Sequence, residues 1–129
     1  MKHCLVVDDS RIVRKVARTL LESMNFEVSE AENGREAVER CIERMPDAVL
    51  LDWQMPVMNG LEFIGALRLA IKSDRPHIIY CTTENDPKGL SRAFIGGADD
   101  YLLKPFDRAT LTAKLAAARL IETPATPVP

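Results

Sequence analysis

The chain has 129 residues, with 17 Lys and Arg against 19 Asp and Glu, so its formal charge is −2 at neutral pH. That length suits one domain with its own core, and 47% apolar with 28% charged residues is the balance of an ordinary globular protein. A slightly acidic chain lacks the basic stripe that nucleic-acid binding uses, and no apolar run approaches the roughly 18 residues of a membrane span.

Met1-Lys2-His3 leads straight into Cys4-Leu5-Val6-Val7, an apolar run stopped by Asp8-Asp9. It is too short, and too acidic at its end, for a signal peptide, so a cytoplasmic location is expected. Ile12, Val13, Val16, Leu20 and Leu21 then fall at helical spacing. Phe26 to Ala31 alternates apolar and polar, which reads as a half-exposed edge strand. After Asn33-Gly34, the residues Ala37, Val38, Cys41 and Ile42 predict a second helix. Ala48-Val49-Leu50-Leu51 is another apolar run, stopped by Asp52, and Asn59-Gly60 opens a helix carrying Leu61, Ile64 and Leu67. Ile78-Ile79-Tyr80-Cys81 ends at Thr82-Thr83. A fourth helix with Leu90, Ala93 and Phe94 follows, closed by Gly96-Gly97 in a left-handed cap. Tyr101-Leu102-Leu103 ends at Lys104-Pro105, and Asp107 caps a fifth helix whose Leu111, Leu115 and Ala118 face inward.

Apolar runs without alternation suit strands buried on both faces. Four such runs and one alternating edge strand, interleaved with five helices, predict an α/β domain, a doubly wound parallel sheet over residues 1–122 with right-handed crossovers. Residues 123–129 hold three prolines in seven positions and read as a disordered tail. Cys4, Cys41 and Cys81 form no C-x-x-C pair and sit in apolar settings, so they read as buried thiols. His3 and His77 read as strand-start residues, and Met55, Pro56 and Met58 as loop packing.

Ligands of an open parallel sheet bind beyond the carboxyl ends of its strands, so the residues that stop the runs become neighbours. That edge carries Asp8, Asp9, Asp52, Thr82 and Lys104. Any of these alone is ordinarily a cap or turn residue. Together they make an all-oxygen cluster suited to Mg²⁺, with an ammonium and a hydroxyl for an anion. A carboxylate beside Mg²⁺ can act as a nucleophile toward phosphorus.

Val6-Val7-Asp8-Asp9-Ser10, the stretch from Leu51-Asp52-Trp53-Gln54-Met55-Pro56 to Asn59-Gly60, Cys81-Thr82-Thr83 and Lys104-Pro105-Phe106 resemble the receiver domain of two-component response regulators. The similarity runs from about Met1 to Ile121 and looks most like the single-domain chemotaxis type. The strand order 2-1-3-4-5, flavodoxin-like, comes from this resemblance and not from the pattern. It implies that Asp52 accepts a phosphoryl group from a histidine kinase or histidine phosphotransferase. It implies Mg²⁺ held by Asp8, Asp9, Asp52 and the backbone carbonyl of Gln54. Thr82, Thr83 and Lys104 would contact the phosphate, Tyr101 would turn inward as Thr82 moves, and Lys104–Pro105 would be a cis peptide. The protein would then be a signalling switch and not an enzyme, catalysing only its own phosphorylation and dephosphorylation. Its target would dock on the fourth helix, fifth strand and fifth helix, near Ser91 and Ile95. A monomer is expected, and phosphorylation-linked dimerisation stays open.

Gln54, Asn59 and Thr83 depart from the commonest family pattern, and with Glu84 they bear on phosphoryl lifetime. A dehalogenase-type phosphatase would need a D-x-D after its first strand, but the acids here are adjacent. Asp8-Asp9 would repel a flavin phosphate, and the glycine fingerprints of nucleotide folds are missing. A phosphorelay intermediate and a phosphorylation-independent pseudo-receiver stay open.

Overall fold

The structure, a computed structural model, describes residues 1–52, 55, 57–70, 76–82 and 87–122, with side chains from 91 in the last segment. The chain runs β1 (Lys2–Val7), α1 (Arg11–Ser23), β2 (Phe26–Ala31), α2 (Gly34–Glu43), β3 (Ala48–Asp52), α3 (Gly60–Ala70), β4 (His77–Thr82), α4 (Pro87–Gly96), β5 (Asp100–Leu103) and α5 (Arg108–Ala117). All neighbouring strands pair in parallel, in the order β2-β1-β3-β4-β5. The fold is the flavodoxin-like doubly wound sheet, as expected.

Alternate residues of the apolar runs feed two cores. Leu5, Val7, Val49 and Leu51 pack beneath α2, α3 and α4 with Phe63, Ile64 and Leu67. Cys4, Val6 and Leu50 pack beneath α1 and α5 with Leu21, Leu111 and Leu115. A strand covered on both faces has no reason to alternate, which is why these runs are continuous. β2 lies at the edge, and only Phe26 and Ala31 of it are buried.

Several helical apolar residues point outward instead. Ile12 is 76% exposed and Val16 48%, while Ile42, Phe94 and Leu61 are also exposed. The buried sides of these helices carry small residues among others: Ala17 on α1, Ala37 on α2 and Ala93 on α4 are fully buried. Val16 lies about 100° round the helix from Ala17 and so faces away.

Caps fix where the helices begin. Ser10 Oγ accepts from Val13 N–H, and Asn33 Oδ1 from Glu36 N–H. Asn59 and Glu62 bond reciprocally at the start of α3, as do Asp107 and Thr110 at α5. Gly97, at φ +117°, terminates α4 in the expected left-handed turn. Gly34 is required by close approach: its N–H donates to Met58 O, and a Cβ there would lie 2.6 Å from that oxygen. This contact ties the loop after β3 to the start of α2.

The three cysteines are buried and free, and burial pushes the Cys41 and Cys81 thiols up to about 12. Both histidines start strands. His3 is buried, with Nε2 bonded to Ser29 Oγ at 2.6 Å. Burial, and secondarily the charge of Arg44, holds its imidazole below the ordinary 6.5 against Glu27 and Asp47. A lowered folded pKa means stability that is present above pH 6.5 and lost as pH falls toward the folded value. His3→Gln is therefore expected to flatten this acid-side fall, read as urea midpoints across the window. A fall as steep as the parent's would assign the acid sensitivity elsewhere.

Candidate functional site

The parallel sheet brings the ends of β1, β3, β4 and β5 to one edge, and the expected residues converge there. Asp8 follows β1 and is 3% exposed, Asp52 closes β3, Thr82 closes β4, and Lys104 follows β5. Lys104 Nζ donates to Asp8 Oδ2 at 2.6 Å and to Asp52 Oδ1 at 3.0 Å. Its backbone N–H donates to Thr82 O at 2.7 Å, placing these two residues side by side. The Lys104–Pro105 peptide is cis, as expected. Asp9 is exposed, and oxygens of Asp8, Asp9 and Asp52 all lie within 4.8 Å of one another.

Charge does not balance in this cluster. Among the described residues, three carboxylates meet one ammonium, a formal charge of −2 (1 − 3). Burial raises the Asp52 carboxyl above its ordinary range, the charges of Asp8 and Asp9 add to this, and Lys104 opposes it. Burial works against the Lys104 ammonium, yet the bonds from Asp8 and Asp52 hold its pKa above 10.5. A compact, all-oxygen, doubly negative cluster fits a hard divalent cation of the Mg²⁺ class.

The supporting shell is built from the backbone. Ser10 N–H donates to Asp8 Oδ1, and Asp8 N–H to Ala31 O. Arg14 Nη1 donates to Asp8 O at 2.7 Å, and its Nε to Glu30 Oε1 at 3.0 Å. Sequence reading missed Arg14 and Glu30, which lie 16 positions apart and meet only where α1 packs beside β2. Tyr101 is half-buried against the core beneath α4, with Lys114 Nζ 4.1 Å from its ring centroid. Trp53, Gln54, Thr83 and Glu84 lie outside the described residues.

In the loop after Asp52, Val57 is 72% exposed and sits at φ +70°. A β-branched side chain in the left-handed region is strained by about 1–2 kcal/mol. Asn tolerates that conformation, so Val57→Asn is expected to stabilise the fold by about 1 kcal/mol, read as a higher urea midpoint. A lowered midpoint would place a needed contact on the Val57 side chain.

Comparison with known proteins adds the decisive observation: residues 4–116 match the response regulator receiver domain. The chain belongs to this receiver family. It is 39% identical over 111 residues to the chemotaxis protein CheY of Halobacterium salinarum, covering 85% of this chain and 90% of that protein. It is 37% identical over 112 residues to the phosphate regulon transcriptional regulatory protein PhoB of Rhizobium meliloti, covering 87% of this chain. The chain spans about half the length of that PhoB relative, 49%. Among solved structures, the chemotaxis protein CheY4 of Vibrio cholerae superposes with a TM-score of 0.86 at 34% identity, over 92% of this chain and 98% of that one. Receiver domains bind Mg²⁺ at an acidic pocket and interact with histidine kinases and downstream targets; here Asp8, Asp9 and Asp52 form an acidic cluster that could hold such an ion. No helix among the described residues of this receiver is long and apolar enough to cross a membrane.

Proposed function

We propose that this receiver is a phosphorylatable signalling switch in which Asp52 takes a phosphoryl group from a phosphohistidine on a kinase or phosphotransferase. The observation that carries this reading is the carboxylate cluster gripped by Lys104, beside the half-buried Thr82. An Asp52 Oδ–phosphorus bond forms as the donor's phosphorus–nitrogen bond breaks, and the imidazole leaves with the electron pair. Asp8, Asp9, Asp52 and the backbone carbonyl of Gln54 would hold Mg²⁺, which when bound would neutralise charge on the transferring group.

The chain's own groups do the rest. Asp52 supplies the nucleophilic carboxylate oxygen; burial raises its carboxyl above the ordinary range, and Lys104 opposes that rise. Lys104 holds it in place before transfer and pairs with the phosphoryl oxygens afterwards. The Thr82 and Thr83 positions supply donors to the added charge, and Tyr101 turns inward behind Thr82. Output passes through protein contacts on the face of α4, β5 and α5, where Ser91 and Ile95 are exposed. The receiver acts as a cytoplasmic monomer, and it catalyses no reaction but its own phosphorylation and dephosphorylation.

The test uses Trp53, the single tryptophan and the neighbour of Asp52 in sequence. Its fluorescence is followed as Mg²⁺ and then acetyl phosphate or beryllofluoride are added, with Asp52→Asn as control. A Mg²⁺-dependent second change, lost in the variant, is expected. Identical responses in parent and variant would make the chain a phosphorylation-independent binding module.

A further inference from the structure

Two of the three clustered carboxylates are held by Lys104, but Asp9 is not. No hydrogen bond or ion pair among the described residues fixes the Asp9 side chain. Its direction is set by its own backbone, and above all by the peptide that joins it to Asp8. That peptide is fastened. Arg14 Nη1 donates to its carbonyl, Asp8 O, at 2.7 Å, while the preceding peptide donates through Asp8 N–H to Ala31 O at 3.1 Å. Arg14 is in turn aimed by Glu30, whose Oε1 accepts from Nε at 3.0 Å; the other oxygen of Glu30 accepts from Arg18 Nε at 2.7 Å. Arg14 is mostly buried, with 14% of its side chain exposed. A guanidinium fork held at two points loses little further freedom in keeping a third group in register.

We propose that Arg14, aimed by Glu30 from the edge strand, is a positioning residue that directs the Asp9 carboxylate toward the divalent cation, an inference that rests on the Mg²⁺ reading above. The bland competitor is that Arg14 merely staples α1 to β2. Arg18 separates the two ideas. It shares Glu30 with Arg14 but, among the described residues, bonds only to the glutamate and, more loosely, to Glu22. Electrostatics separates them again, because deleting a cation near the site should tighten Mg²⁺ binding, whereas losing the fix on Asp9 should weaken it.

Mg²⁺ affinity is measured by Trp53 fluorescence and, independently, by the Mg²⁺-dependent shift of the urea midpoint. Arg14→Met is expected to weaken binding about 10-fold, the scale of a lost outer-shell partner. Arg14→Lys recovers part of it, since one ammonium can still donate to Asp8 O. Arg18→Met leaves the affinity within about 2-fold while losing its exposed ion pairs. Glu30→Gln gives a smaller loss in the same direction as Arg14→Met, and stands in for it should that variant not fold. Parent-like or tighter affinity in Arg14→Met, or in Glu30→Gln, overturns the proposal, as does an equal loss in Arg18→Met. A parent protein that shows no Mg²⁺ response in either readout instead overturns the Mg²⁺ reading itself, and this inference with it.

Discussion

Asp52→Asn is expected to abolish phosphoryl uptake completely while raising folding stability at neutral pH. The amide is not a nucleophile toward phosphorus, so no acyl phosphate can form at that position. Its carbonyl keeps the shape of the carboxylate and still accepts from Lys104, which lies 3.0 Å from Asp52 Oδ1. The stability gain follows from the sign of the titration. Burial first, then Asp8 and Asp9, hold the Asp52 carboxyl above its ordinary 3.8 against Lys104. A raised carboxyl favours the fold below pH 3.8 and loses that contribution as pH rises through its folded value, so the ionised group costs stability at pH 7. The gain should therefore be clear at neutral pH and shrink as pH falls toward 3.8. Urea unfolding of parent and variant at several pH values reads this directly. A variant less stable than its parent at neutral pH would contradict the picture of a strained acidic cluster.

Lys104→Met should have the largest effect on stability. The ammonium is 14% exposed and serves two carboxylates that are 4% and 12% exposed. Removing one partner of a buried pair leaves the other uncompensated, and here it leaves two, so a loss of roughly 3 kcal/mol is expected without divalent cation. Mg²⁺ should restore much of that loss, and should bind the variant more tightly than the parent, because a competing positive charge has gone. The penalty grows as pH rises from the carboxylate range to neutrality, since protonated carboxyls do not repel. Denaturant midpoints with and without Mg²⁺ test all three signs. A loss that Mg²⁺ leaves untouched would mean that Lys104 stabilises the fold by packing and not by charge.

The strands were legible because burial on both faces removes alternation, leaving Cys4–Val7, Ala48–Leu51 and Ile78–Cys81 as plain apolar runs. The residues ending those runs could be assigned to one edge before any coordinates, since parallel strands all point the same way. Strand order was not legible in the pattern; it came with the family resemblance. Helix rotation was not legible, because apolar spacing marks a helix but does not say which side meets the sheet: Ile12, Val16, Ile42 and Phe94 carry the helical pattern yet are exposed. Ala17, Ala37 and Ala93, all fully buried, lie on that side. Arg14 and Glu30 escaped notice for a different reason. They lie 16 positions apart and meet only because α1 crosses beside β2. The left-handed Val57 was equally hidden, since nothing in its side chain favours that conformation.

The central claim is that phosphorus becomes bonded to Asp52, and reductive trapping tests it most directly. The protein is treated with acetyl phosphate and Mg²⁺, reduced with borohydride, and mapped by peptide mass spectrometry. An aspartyl phosphate at position 52 is reduced to homoserine, so homoserine at that position alone, absent without Mg²⁺, is the predicted result. Homoserine at Asp8 or Asp9, or none anywhere in a protein that binds Mg²⁺, would contradict it.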